Sequence, residues 1–483
     1  MTEVEIGSEK PVEISDDEIL KCIVNLKLYK SPGPDLVTAE HVQYASSIIV
    51  PMLRRLISAI LVHGVLPSSM SNLELVPIPK DKKGKLNDQN NYRPIALASC
   101  FSKILEMCIF NRIKEFIKTE SNQFGYKPGL GTDSCIYTLK EIITNNMKNS
   151  TNTFIAFLDA SKAFDKINHD LLFEKLLNAG TPRYMVRVIS NWYRSQNLRV
   201  RWGSSLSHSF TTSNGVKQGG LLSPHLFNFY MNELSIQMNN EPIGCWVGER
   251  KVNHLAYADD LTLVSPSLSG LQRLLDCCSD YSERNFIQFN VNKSKTMYIK
   301  AGPFSDVTFD DCLLNGSPLS ATDSIKYLGH IMKCDTSDDD DLMRHLKYVY
   351  SVGNTLIRKF NFCSIHVKLK LFRAYCTNIY SGHLWINYKQ STMGKLNTAY
   401  NSVLRRLLWI KRYDESSGVS YSASAMFAKN DVPCLSALLR KNIYRFQCRI
   451  ISNGNPFLSY LGGINRFTSR IWEFWETKLK PAV

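Results

Sequence analysis

The sequence has no uninterrupted apolar run long enough to span a bilayer, which needs about 20 residues. Its longest candidate, "SSIIVPMLRRLISAILVHGVL" from Ser46, is split by Arg54 and Arg55 and is too short on either side. A basic leader followed by an apolar core is also missing. The chain opens on the acidic "MTEVEIGSEKPVEISDDEI", in which no secretory signal is visible, and this leads us to expect an intracellular protein, nuclear or cytoplasmic, with no membrane partner. No CxxC pair occurs among the 13 cysteines, so neither a zinc ribbon nor a disulfide framework is indicated, and reduced, mostly buried thiols are expected. Acidic residues become scarce after Leu342, where roughly four basic residues stand for each acidic one. No internal repeat is evident.

What is present is ample apolar content and positive charge. With 483 residues and 44% hydrophobic content, the chain can form two or three packed units. The formal net charge of +15 points to a polyanionic partner, because Lys and Arg gain affinity for phosphate backbones through counterion release. The alternative is a basic but indifferent surface.

The patterns alternate between helix and strand. "SPGPDLVTAEHV" is a turn cluster with Asp35 placed to cap a helix from about Val37, and it separates a leader, residues 1–45, from the body. Helical spacing covers Ala39 to His63, "LELVPIPK" reads as a strand, and "KDKKGKLNDQNN" as a polar loop. "SKILEMCIFNRIKEFI" and "NHDLLFEKLLNAG" have helical spacing, the latter closed by Gly180, and "TFIAFLDA" is a strand ending at Asp159. "CDTSDDDD" reads as a solvated linker before a basic, helical and aromatic remainder, residues 334–483. The fold class expected is α+β with a helical tail.

In "AYADDLTLVS" two strand-like runs leave Asp259 and Asp260 at the turn between them. An Asp-Asp pair can simply make a turn. "FLDASKAFD", however, offers a second strand whose apolar run ends on a carboxylate, Asp159. Carboxylates at neighbouring strand ends can hold Mg²⁺, which prefers oxygen ligands and retains water and substrate phosphates. A pair of such ions about 3.5–4 Å apart suits in-line phosphoryl displacement.

"YRPIALASCFSKILE", "FLDASKAFDKINHDLL", "GVKQGGLLSPHLFNFYMNEL" and "AYADDLTLVS" together resemble the blocks of non-LTR (LINE-type) retrotransposon reverse transcriptases, in the family's order from about Ser31 to Gly329. The resemblance implies a right-hand polymerase fold, with fingers and palm in residues 46–333 and a basic helical thumb in 334–483. It implies RNA-directed DNA polymerisation using an RNA template, a DNA primer, dNTPs and two Mg²⁺, with Mn²⁺ as a substitute. Asp159 and Asp259 match the residues that bind both metals, and Asp260 the more peripheral carboxylate. Phe164 matches the aromatic that excludes a ribose 2′-OH; an ordinary core phenylalanine is the alternative. Gln218 and Gly219 match the contacts to nucleotide and template base, and Lys80 and Arg93 the cations that clamp the triphosphate, although Lys80 also fits a solvated lysine cluster. Lys293 matches the lysine that protonates pyrophosphate, with Lys295 as competitor, and Lys326 to His330 the hairpin that grips the primer.

Arg358, Lys359, Lys368, Lys370 and Arg373 interleave with aromatics, as on a face that lies along a duplex; snorkelling lysines over an apolar core give the same pattern. Elements of this type place an endonuclease before the polymerase and some a zinc knuckle after it. Neither is recognisable here, so a nick supplied by a separate endonuclease is expected. Rival readings are a group II intron maturase-like enzyme and a domesticated RNA-binding protein without catalysis.

Overall fold

The computed structural model describes residues 13–301, 312–414, 419–463 and 465–480. Two compact units are interleaved along the chain. One takes the chain up to Tyr126, then Ala160–Asn240 and Cys277–Asn290; the other takes Lys127–Asp159, Glu241–Asp276 and Val291 onward. The units therefore cut across the division at residues 45 and 333 expected from sequence.

In the first unit the helix Asp16–Val24 is capped by Ser15, whose hydroxyl accepts from the Glu18 N–H, and it buries Ile19, Cys22 and Ile23. It packs against Ser46–His63 and Cys100–Ile113, so much of the supposed leader is built into the core. The cap before Ala39–Tyr44 is Thr38, while Asp35 accepts from the Val37 N–H one turn too early. Arg54 and Arg55 do not break the apolar stretch: Ser46–His63 is one helix, long and apolar enough by length and composition to cross a membrane. Here Leu53, Ile57, Ile60 and Leu61 are buried, and Arg54 bonds Asp16 at 2.8 Å. A four-stranded sheet runs in the order Tyr92–Leu97, Asn72–Pro79, Asn197–Trp202, Ser205–Leu206. Its first two strands pair Ile78 with Arg93 and Pro79 with Tyr92, which joins the two ends of the polar loop.

The second unit holds a five-stranded sheet in the order Ser320–Ala321, Lys295–Ile299, Thr153–Asp159, Asp260–Ser265, His254–Tyr257. The central strand is buried from Thr153 to Leu158, which is why it reads as a continuous apolar run rather than an alternating one. Beyond a hairpin of Ser324–Tyr327 and His330–Lys333 the unit is helical apart from a short strand pair, Tyr413–Asp414 with Val419–Ser420. Asp339–Lys359 and Gln390–Leu407 pack closely around Leu342, Val349, Leu356, Tyr400, Val403 and Leu404. Gly353 makes that approach possible, since a Cβ there would sit 2.4 Å from Val403 Cγ1.

The aspartate run is not a linker. Asp338 and Asp341 are 2% and 0% exposed at the start of Asp339–Lys359. Asp338 pairs with Lys140 and accepts from the Ile386 and Asn387 N–H groups. Asp341 accepts from Trp385 Nε1 at 2.8 Å and from Arg344 Nε at 2.9 Å. All 13 cysteines are free thiols, most of them buried.

Candidate active site

Strand pairing brings the carboxylates of the second unit together. Asp159 ends its strand directly opposite Asp260, which itself pairs with Tyr257 across the hairpin. The turn is Ala258–Asp259, one residue earlier than expected, with Ala258 in the left-handed region at φ 56°. Asp260 is thus the first residue of its strand and Asp259 the turn residue, both of them exposed. Loss of hydration, followed by the charges of Asp259 and Asp159, pushes the Asp260 carboxyl up to about 6. Crowding of this kind is relieved by a cation.

A cation of the protein is nearby. Lys293 Nζ lies 3.6 Å from Asp159 Oδ2, at the surface. The Asp159 N–H donates to Ser294 Oγ at 3.2 Å, which fixes the strand end beside the Lys293 turn. Lys295 lies in the next strand and bonds Ser320 Oγ at 2.5 Å, so the structure separates the two lysines that the sequence left as competitors. Among the described residues no three His, Cys, Asp or Glu side chains form a closed metal cage. An open pair of strand ends still suits Mg²⁺, which binds through one or two carboxylates and completes its shell with water and substrate oxygens.

The remaining candidates lie in the first unit. Lys80 and Arg93 stand at the same end of the strand pair Asn72–Pro79 and Tyr92–Leu97, both exposed, with Lys80 Nζ turned back to the Asn90 carbonyl at 2.9 Å. Phe164 is half-buried, its ring stacked on Phe227 with centroids 4.6 Å apart and planes at 12°. One face is therefore packed, in a position less enclosed than a core residue. Gln218 Nε2 donates to Asp165 Oδ1 at 3.0 Å, and Gly219 is exposed at φ 105°. The Val216 N–H donates to the Phe164 carbonyl at 2.7 Å, and the Ala96 N–H to the Gln218 carbonyl at 2.8 Å. The loop 216–221 thus touches both the turn of Phe164 and the strand of Arg93.

Sequence reasoning missed Asp165, Ser294 and Glu106. Asp165 adjoins Phe164 and could have been suspected; Glu106 sits in an ordinary helical pattern and gave no signal. Lys326 to His330 form a tight hairpin with Leu328 and Gly329 at φ 44° and 87°, the backbone that two-residue turns of this hand require. Of the tail cations, Arg358, Lys359 and Lys370 are exposed, whereas Lys368 is 6% exposed. Lys368 therefore does not belong to a phosphate-facing surface. Arg373 is engaged with the Asn430 and Asp431 carbonyls at 3.0 and 2.7 Å.

The family model described as "Reverse transcriptase (RNA-dependent DNA polymerase)" matches residues 78–332. Among proteins similar in sequence, the "Retrovirus-related Pol polyprotein from type-2 retrotransposable element R2DM" of Drosophila melanogaster is 32% identical over 310 residues, 63% of this chain and 29% of that protein. The "RNA-directed DNA polymerase from mobile element jockey" of Drosophila funebris is 23% identical over 472 residues, 92% of this chain and 49% of that protein. A solved telomerase of Candida tropicalis, in complex with a fragment of telomeric RNA, aligns at a TM-score of 0.40 and 12% identity over 88% of this chain and 68% of its own. The chain spans less than half the length of these two sequence relatives.

Proposed function

Because the chain belongs to the reverse transcriptase family, we propose that it is an RNA-directed DNA polymerase of the non-LTR retrotransposon type, extending a DNA primer with dNTPs along an RNA template inside the cell. The observation that supports this most strongly is the register of Asp159 against Asp260, with Asp259 in the adjoining turn. Two Mg²⁺ ions at these carboxylates, or Mn²⁺ in their place, would supply activation of the primer 3′-OH and neutralisation of the leaving pyrophosphate.

The chain's own residues divide the other tasks. Asp159 and Asp259 hold the charge that binds metal, and Asp260 adds to it from the strand. Lys293, at 3.6 Å from Asp159, gives a proton to the departing pyrophosphate. Lys80 and Arg93 hold the triphosphate through fixed positive charge. Phe164 lies under the sugar and leaves no room for a 2′-OH, while Gln218 and Gly219 contact the nucleotide and its template base. The hairpin from Lys326 to His330 holds the primer end, in a fingers-and-palm segment, residues 46–333, followed by the thumb.

Primer extension on poly(rA) with an oligo(dT) primer and labelled dTTP tests the reading. Wild type is expected to incorporate label only with Mg²⁺ or Mn²⁺ present. Asp259→Asn is expected to lose activity by about a thousandfold or more while keeping its affinity for template–primer, since it removes charge from the reacting centre and leaves the fold. Near wild-type extension by Asp259→Asn would refute the metal assignment.

A further inference from the structure

Beneath the loop that carries Gln218 and Gly219 lies a charge pair that the proposed chemistry does not use. Glu106, in the middle of the helix Cys100–Ile113, is 2% exposed, and Lys217 is 8% exposed. Glu106 Oε1 faces Lys217 Nζ at 3.4 Å, and Oε2 accepts from the Leu221 N–H at 2.7 Å. The Lys217 ammonium also lies 3.8 Å from the centroid of the Trp192 ring. Burial draws the Lys217 pKa down and the Glu106 carboxylate counters it. One carboxylate thus grips both ends of a five-residue stretch, Lys217 to Leu221.

Packing argues that this grip sets position. A Cβ at Gly220 would lie 2.8 Å from Ser223 Oγ and 3.2 Å from Glu106 Oε1, so a side chain there would have to push aside Ser223 or the Glu106 carboxylate. On its other side the loop is bonded to Ala96, in the strand of Arg93, and to Phe164. Gln218 Nε2 reaches Asp165. Burying two charges costs solvation that an apolar pair would not, and the best-attested benefit of such a pair is fixing register.

We infer that Glu106 is a positioning residue for nucleotide binding, acting through Lys217 and the Leu221 amide on the loop that presents Gln218 and Gly219. The inference rests on the assignment of that loop to the incoming nucleotide. Glu106 touches no substrate; it keeps Gln218 in register with Phe164 and the Arg93 strand. Loosening it should weaken nucleotide binding and leave template–primer binding alone.

Single-nucleotide incorporation kinetics on Glu106→Gln, Gln218→Ala and the combined variant test this, with melting curves to establish folding and template–primer Kd measured alongside. Glu106→Gln is expected to raise the KM for dNTP about tenfold with Kd unchanged, and to add less than about twofold in the Gln218→Ala background, because neighbours acting through one element are non-additive. Should Glu106→Gln melt below the assay temperature, Glu106→Gln with Lys217→Met, which leaves no unpaired buried charge, carries the same comparison. A KM unmoved by Gln218→Ala would overturn the loop's assignment to the nucleotide, and this inference with it. A KM raised by Gln218→Ala but not by the folded Glu106 variants, or two effects that multiply independently, would overturn the positioning role alone.

Discussion

At Phe164 packing can be separated from the sugar selection proposed for it. Its stack on Phe227 holds one face, and that contact is worth on the order of 1 kcal/mol. Phe164→Val should therefore lower stability modestly while opening space where a 2′-OH would sit. The preference for dCTP over CTP is expected to relax by at least about tenfold, corresponding to about 1.4 kcal/mol at the transition state, with part of the dNTP activity retained. Single-nucleotide incorporation with both substrates measures it, and an unchanged ratio would make Phe164 a packing residue only. Asp159 and Asp259 stand out as candidates in the sequence because each ends or interrupts an apolar run where packing alone asks for no carboxylate, whereas Phe164 is singled out only by the family resemblance, since a core phenylalanine gives the same local pattern. Glu106 and Asp341 do not stand out, because a charged residue in a helical pattern reads as solvent-facing until its partner is known. Glu106 and Lys217 are 111 residues apart, and no local pattern connects them.

Elements show the same division between local and distant causes. The helix from His169 was legible through its Asn168 cap, which accepts from the Leu171 N–H, and through Gly180 beyond its end. The aspartate run was misread because four consecutive acids normally mark a solvated segment, whereas Lys140, 198 residues away from Asp338, buries part of this one. The helix Thr132–Lys148 carries a further consequence of distant packing. Its Glu141 is 2% exposed and accepts from Ser469 Oγ at 2.6 Å, and burial pushes its carboxyl up to about 7. A raised acid pKa means that the folded state holds the proton more tightly than the unfolded chain, whose ordinary Glu value is about 4.3. Glu141 therefore contributes its full stabilisation below that value, and the contribution is lost as pH rises through about 7. Buried histidines such as His254 and His345, whose pKa burial lowers to about 3 and about 4, act in the opposite direction as pH rises from 5, so the Glu141 component is read by comparison: Glu141→Gln, neutral throughout, should show a melting temperature that falls less, or rises more, than that of wild type between pH 5 and 8. Equal slopes in the two proteins would show that Glu141 does not titrate in this window.

Over the whole molecule the net charge of +15 predicts phosphate-driven affinity, and the structure decides how that can be tested. Cutting the chain near residue 335 would not isolate the charge of the tail. Trp472 Nε1 donates to Tyr137 Oη at 2.8 Å, Ser469 bonds Glu141, and Arg449 pairs with Asp133. Tyr137 is fully buried, so truncation would expose the helix Thr132–Lys148 and unfold the unit that holds Asp159 and Asp259. Point substitutions avoid this, provided that they fall on exposed cations. Arg358, Lys359 and Lys370 qualify, while Lys368 is buried and Arg373 bonds two carbonyls of the chain. Replacing Arg358, Lys359 and Lys370 together by Ala should leave the melting temperature nearly unchanged. If each neutralises one phosphate, the slope of log K against log salt for template–primer binding should become shallower by roughly 2 to 3, at about 0.9 per contact on a duplex. The loss of affinity should be similar for unrelated sequences, because phosphate contacts carry no base information. Binding isotherms at several salt concentrations read both quantities; an unchanged slope in the folded triple variant would mean that these cations face solvent and that the nucleic acid runs elsewhere.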